Sequence, residues 1–254
     1  MISVIIPYYR NESTVEATIR STLTQTYRDI EVILVDCEGS FDMDSVNDIE
    51  IVNDKRLRVV TAEGLGSAAS ARNYGIGCAC GEYVAYLDAD DMWSPDKLEL
   101  QLRCMSKVRR HGEAPVICCT GRALIDEQGR NLNKYIPCRR YIDYTAMLRS
   151  NHINCSSVLM RKDVAERYPF PEGELHEDYA VWLTILRDGG YAVGIDRPLL
   201  KYRVSKGSRS GNKLRSAAMT YRVYKYMKLP FARRVAYFIS YAVNGLRKYG
   251  TGTR

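Results

Sequence analysis

Three carboxylates, Asp88, Asp90 and Asp91, follow directly on the apolar run Tyr83-Val-Ala-Tyr-Leu87 and precede a helix signal made of Pro95, Lys97, Leu98 and Leu102. Acids crowded where a buried strand meets a helix repel one another unless a cation lies between them. Hard oxygen ligands on such a loop suit Mg²⁺ or Mn²⁺, which keep waters and bind substrate phosphates. An acidic turn with a helix cap is the commoner explanation of an isolated Asp-x-Asp, so the surroundings must decide. A second acidic pair, Glu177-Asp178, opens a helix whose buried face carries Trp182, Leu183 and Leu186. There the helix dipole alone favours anions, and a base for proton abstraction is the functional reading.

The elements that must position these acids form an alternating series. Ser3 to Pro7 reads as a buried strand ending in Tyr8 and Tyr9, and a helix follows to about Gln25. Glu31 to Asp36 is a second continuous apolar strand, Leu57 to Thr61 a third, and Ser67 to Cys78 a small-residue helix carrying Arg72 and Asn73. Strand–helix alternation with continuous apolar strands predicts an α/β fold with a mostly parallel, Rossmann-like sheet covered by helices. Ligands of open α/β sheets lie at the carboxyl ends of the strands, which here bear Tyr8/Tyr9, Asp36 and the three acids. An aromatic, an acid and a metal-binding cluster suit a nucleoside diphosphate. Neither a Gly-x-Gly-x-x-Gly turn after the first strand nor a Walker Gly-Lys-Ser/Thr occurs, which leaves the phosphates to a metal. Further strands are predicted at Val116–Thr120 and Ser156–Met160, a hairpin or loop at 121–133 and a short helix at Tyr144–Arg149.

The chain has 254 residues, 46% hydrophobic and 26% charged, enough for one well-cored domain with an appendage. No apolar run reaches the ~18–20 residues of a membrane span, and no signal peptide is visible. Eight dispersed cysteines without Cys-x-x-Cys spacing predict reduced thiols in a cytoplasmic protein. The net charge of +7 is uneven: residues 201–254 hold 14 of the 37 basic residues and no acid. Such a split points to a polyanionic partner for the tail.

Taken together, Val4-Ile-Ile-Pro-Tyr-Tyr9, Ser21-Thr-Leu-Thr-Gln-Thr-Tyr27, Glu31-Val-Ile-Leu-Val-Asp36, Gly66-Ser-Ala-Ala-Ser-Ala-Arg-Asn73, Tyr86-Leu-Asp-Ala-Asp-Asp91, Glu177-Asp178 with Trp182-Leu183, and Tyr202-Arg203 resemble the family 2 glycosyltransferases of the GT-A fold. The resemblance spans about residues 2–210, with a nucleotide-sugar half to about 115 and an acceptor half to about 210. It implies inverting transfer from a nucleotide sugar, UDP-linked by preference, to a lipid-linked or polysaccharide acceptor, as in bacterial surface-polysaccharide synthesis. It implies a divalent Mn or Mg cofactor held by Asp91 and Asp90, with Asp88 supporting the loop. Pro7, Tyr9, Asp36, Arg72 and Asp90 would contact the nucleotide, and Asp178 would be the catalytic base with Glu177 as its competitor. The chain departs from the family pattern at Arg10, Cys37, Glu38 and Ser205, where Lys206 or Arg209 could stand in for a late phosphate contact. His152 and His176 read as structural or acceptor-side residues rather than ligands.

Residues 211–254 carry tyrosines and basic residues around an apolar stripe, with a second helix from Pro230. That pattern suits either a helix in an anionic membrane interface, which would put the protein on the inner face of the cell membrane, or a helical appendage packed on the domain. Nucleic acid is not expected, since no recognition motif accompanies the charge. A sugar-nucleotide pyrophosphorylase and a non-catalytic binding protein on a degenerate fold are the rival readings.

Overall fold

The computed structural model describes residues 1–204 and 213–250. Its first half alternates as the apolar pattern requires: β1 (Ile2–Tyr8), α1 (Glu12–Leu23), β2 (Ile30–Asp36), α2 (Ile49–Val52), β3 (Leu57–Thr61), α3 (Ala68–Cys78) and β4 (Tyr83–Tyr86). These strands pair in parallel in the order β3-β2-β1-β4. Both β1 and β2 are buried almost throughout, because helices cover the sheet on each face. The parallel register sets Tyr8 opposite Asp36, so the ends of β1 and β2 open on the same edge.

The second half contains β5 (Met92–Trp93), α4 (Lys97–Lys107), β6 (Ile117–Ile125), β7 (Asn131–Ile136), β8 (Tyr141–Ile142), α5 (Tyr144–Arg149), β9 (Leu159–Arg161), α6 (Lys162–Arg167), α7 (Glu177–Arg187) and β10 (Ala192–Arg203). Strand β9 runs antiparallel to both β4 and β6 and so joins the first parallel group to a second, β6-β10. The sheet is therefore mixed beyond β4. Residues 121–133 form the end of β6, a turn with Gly129 at φ +80°, and the start of β7. Strand β10 interrupts its pairing with β6 around Pro198.

Two contacts fix the halves against each other above the sheet. Tyr86 of β4, Phe170 and Trp182 of α7 form a buried aromatic cluster with ring centroids 5.2, 5.8 and 6.3 Å apart. On the opposite face Gln25, just past α1, donates to Ser94 O (2.8 Å) and accepts from Leu98 N (3.1 Å), so α1 holds the loop between β4 and α4.

Helices α8 (Lys213–Tyr226) and α9 (Phe231–Gly250) follow the spacing expected of residues 211–254. Helix α8 buries Val223, Tyr224 and the adjacent Met227 in the core that contains α7. Tyr224 Oη donates to Leu148 O at 2.8 Å. Helix α9 sets Tyr237, Phe238 and Tyr241 against the same core and leaves Phe231, Ile239 and Val243 exposed. Packing on the domain thus accounts for one face of these helices. No helix among the described residues is long and apolar enough to cross a membrane.

Candidate active site

The acidic turn after β4 is held from three sides. Thr18 of α1 places its Oγ 2.9 Å from Ala89 O and 2.8 Å from Asp91 O. Ser156 Oγ accepts from Asp88 N at 3.2 Å, and Arg203 at the end of β10 donates from Nε to Asp90 O at 2.7 Å. With the backbone fixed, the carboxylates diverge. Asp88 and Asp90 face a cavity of about 1190 Å³ at the strand ends. Asp91 turns inward: it is 1% exposed and its Oδ1 accepts from Arg203 N at 2.9 Å. Burial, reinforced by Asp90, pushes the Asp91 carboxyl up. Asp91 therefore does not line the cavity as Asp90 does. Asp88, expected to be structural, does line it.

Arg72 of α3 organises the remaining acids. Its guanidinium is buried, with Nη2 2.7 Å from Asp88 Oδ1 and Nη1 3.0 Å from Glu177 Oε1. Glu177 is thereby committed to an ion pair. Asp178, the next residue of α7, faces the cavity, and its Oδ1 accepts only its neighbour's backbone N–H, from Tyr179, at 2.7 Å. Burial, with the Glu177 charge adding to it, pushes the Asp178 carboxyl up to about 6. A half-buried carboxylate with that proton affinity is suited to accept a proton near neutral pH.

At the other end Pro7 and the exposed Tyr9 line the cavity, with Cys37, Glu38 and Ser40. Asp36 does not line it. Its carboxylate accepts from Glu38 N (3.2 Å) and Phe41 N (2.8 Å), so it shapes the loop after β2. Arg10 and Glu38, two departures from the family pattern, compensate each other: Arg10 Nε donates to Glu38 Oε2 at 2.9 Å, and the guanidinium lies 5.2 Å from the Tyr9 ring centroid. Lys206 and Arg209 lie outside the described residues.

Among the described residues no group of three His, Cys, Asp or Glu side chains converges as a metal site. The donor set nevertheless fits a hard dication that takes its other ligands from water and substrate phosphate. Two carboxylates, Asp88 and Asp90, face one cavity, and burial together with the Asp88 charge raises Asp90 to about 6. A cation there relieves both effects. Asn154, Cys155 and Met219, which carry no sequence signal, also line the cavity, as does the loop around Gly64–Gly66 ahead of Ser67, whose Oγ caps α3 by accepting from Ser70 N.

The family model for glycosyl transferase family 2 matches residues 3–168. The chain belongs to glycosyltransferase family 2. It is 33% identical over 250 residues to the putative teichuronic acid biosynthesis glycosyltransferase TuaG of Bacillus subtilis, covering 98% of this chain and 97% of that one. It is 31% identical over 252 residues to the Escherichia coli UDP-Glc:alpha-D-GlcNAc-diphosphoundecaprenol beta-1,3-glucosyltransferase WfgD, covering 98% and 95%. Among solved structures, S. aureus TarS in complex with UDP-GlcNAc matches with a TM-score of 0.68 at 16% identity, over 97% of this chain and 72% of that one. The mannosyltransferase PcManGT of Pyrobaculum calidifontis, in complex with GDP-Man and Mn²⁺, matches at 0.64 and 17%, over 94% and 68%. These likenesses show the GT-A fold for this family 2 glycosyltransferase.

Proposed function

We propose that this family 2 glycosyltransferase moves a sugar from a UDP-sugar to a saccharide on a lipid diphosphate, with inversion and with Asp178 as the base. The observation that carries the reading is the division of acids by Arg72: Glu177 is paired, while Asp178 is open to the cavity that Asp88 and Asp90 also face. In a single displacement, Asp178 removes the acceptor hydroxyl proton as that oxygen attacks the anomeric carbon. Tyr9 and Pro7 receive the nucleobase, and Arg72, which lines the same cavity, keeps Asp88 oriented. Asp90 with Asp88 would hold Mn²⁺ or Mg²⁺, which when bound offsets the charge of the departing diphosphate. The names of WfgD and WfaP, each 31% identical, make UDP-glucose and a GlcNAc-diphosphate lipid the first substrates to try. Family membership argues against the pyrophosphorylase alternative.

Calorimetry tests the donor site. UDP should bind in the presence of Mn²⁺ and lose at least tenfold in affinity in Asp90→Asn; metal-independent binding unaffected by that change refutes the assignment. The pH profile tests the base. Because the carboxyl must be ionised to work, kcat should be full well above pH 6 and fall tenfold per unit below it, with a midpoint near 6. A flat profile down to pH 4.5 would contradict Asp178 as the base.

We also place the chain at an anionic, inner membrane face through residues 211–254, whose lack of acids adjoins the exposed Phe231, Ile239 and Val243 of α9. Co-sedimentation with vesicles containing phosphatidylglycerol, weakened by salt, is expected; equal recovery with neutral vesicles would remove the electrostatic part of this assignment.

A further inference from the structure

We infer that α8 is a wall of the acceptor half of the site and that Met219 sets the fit of the acceptor sugar there. The inference rests on the glycosyl-transfer reading above and names a part of the site that the resemblance, which stops near residue 210, does not reach.

The contact begins one residue before the acidic pair. His176 Nε2 lies 3.1 Å from Ser216 O and 3.2 Å from Ser216 Oγ, so a ring that lines the cavity is moored to the first turns of α8. With Nε2 protonated, the imidazole donates to the Ser216 carbonyl. One helical turn further on, Met219 is 6% exposed and lines the same cavity as His176 and Asp178. The same cavity is lined by the charged and polar Asp88, Asp90, Glu177 and Asn154. Met219 therefore gives the cavity an apolar surface one helical turn from the point where His176, two residues before Asp178, meets α8. A pyranose ring has an apolar C–H face and a polar rim. A flexible, polarisable thioether can take that face while the rim presents a hydroxyl to Asp178.

The wall is also firmly placed. Tyr224 Oη reaches Leu148 O at 2.8 Å, and Arg222 Nη1 lies 2.6 Å from Glu174 Oε2, on the segment leading into α7. Helix α8 cannot move without disturbing the N-terminus of α7, where Asp178 sits. His176 acts as a positioning residue, and Met219 as a specificity-determining one. Both depend on α8, which makes that helix part of the catalytic unit.

The test uses the full chain, UDP-glucose, Mn²⁺ and a synthetic α-GlcNAc-diphosphate lipid as acceptor, with UDP release as the readout. Met219→Ala should raise the acceptor KM about tenfold with the UDP affinity unchanged, and Met219→Leu should stay within about threefold of the native value. His176→Ala should lower kcat, and His176→Gln, which retains a donor for Ser216 O, should recover most of it. The inference is overturned if Met219→Ala lowers the melting temperature without changing the acceptor KM, or weakens donor and acceptor equally. It is also overturned if the native protein binds Mn²⁺ and UDP but does not glycosylate this acceptor. Failure of the native protein to bind UDP at all would instead strike the donor-site reading.

Discussion

A guanidinium buried between two carboxylates is the constraint on which the rest of this site depends. Taking Arg72 out of water is costly unless its charge is matched by hydrogen-bonded anions. The partners come from far apart in the chain, Asp88 at the end of β4 and Glu177 at the start of α7. Satisfying one arginine therefore fixes the distance between the acidic turn after β4 and the helix that carries Asp178, the proposed base. The Tyr86–Phe170–Trp182 cluster works along the same axis, between β4 and α7. Polar pairing sets the alignment and apolar packing supplies the bulk of the attachment.

The same arginine resolves a chemical ambiguity. Two adjacent acids at a helix N-terminus are both stabilised by the dipole, and neither is marked as a base by that fact. Glu177 is engaged in the ion pair with Arg72, whereas burial and the neighbouring charge raise the proton affinity of Asp178. A comparable separation occurs in the acidic turn. Asp90 opens to the cavity, and Asp91 folds back to cap the end of β10 through Arg203 N, with Oδ2 buried and without a hydrogen-bond partner among the described residues. Environment, more than residue type, assigns the roles.

Much of this was legible in the sequence, for reasons that also mark where legibility ended. Continuous apolar strands and their acidic or aromatic ends revealed β1, β2 and β4 and the edge on which the site opens. Strand β10 was missed because Asp196, Arg197 and Pro198 interrupt its apolar pattern where its register with β6 shifts. The inward turn of Asp91 could not be read, since it is set by Thr18, Ser156 and Arg203, distant in sequence. The loop-shaping bonds of Asp36 went unread for the opposite reason: they are local, its carboxylate accepting from backbone two and five residues on. Met219 carries no sequence signal at all. A methionine on a helical apolar stripe is ordinary core until the helix is docked.

The central claim, that Arg72 leaves Asp178 alone to act as the base, is tested most directly by single-turnover transfer from enzyme-bound UDP-glucose in Asp178→Asn and Glu177→Gln. Asp178→Asn should keep UDP affinity and slow the transfer step by about 10²–10⁴-fold, while Glu177→Gln should slow it far less and instead lower thermal stability. A chemical step that survives in Asp178→Asn and disappears in Glu177→Gln would contradict it.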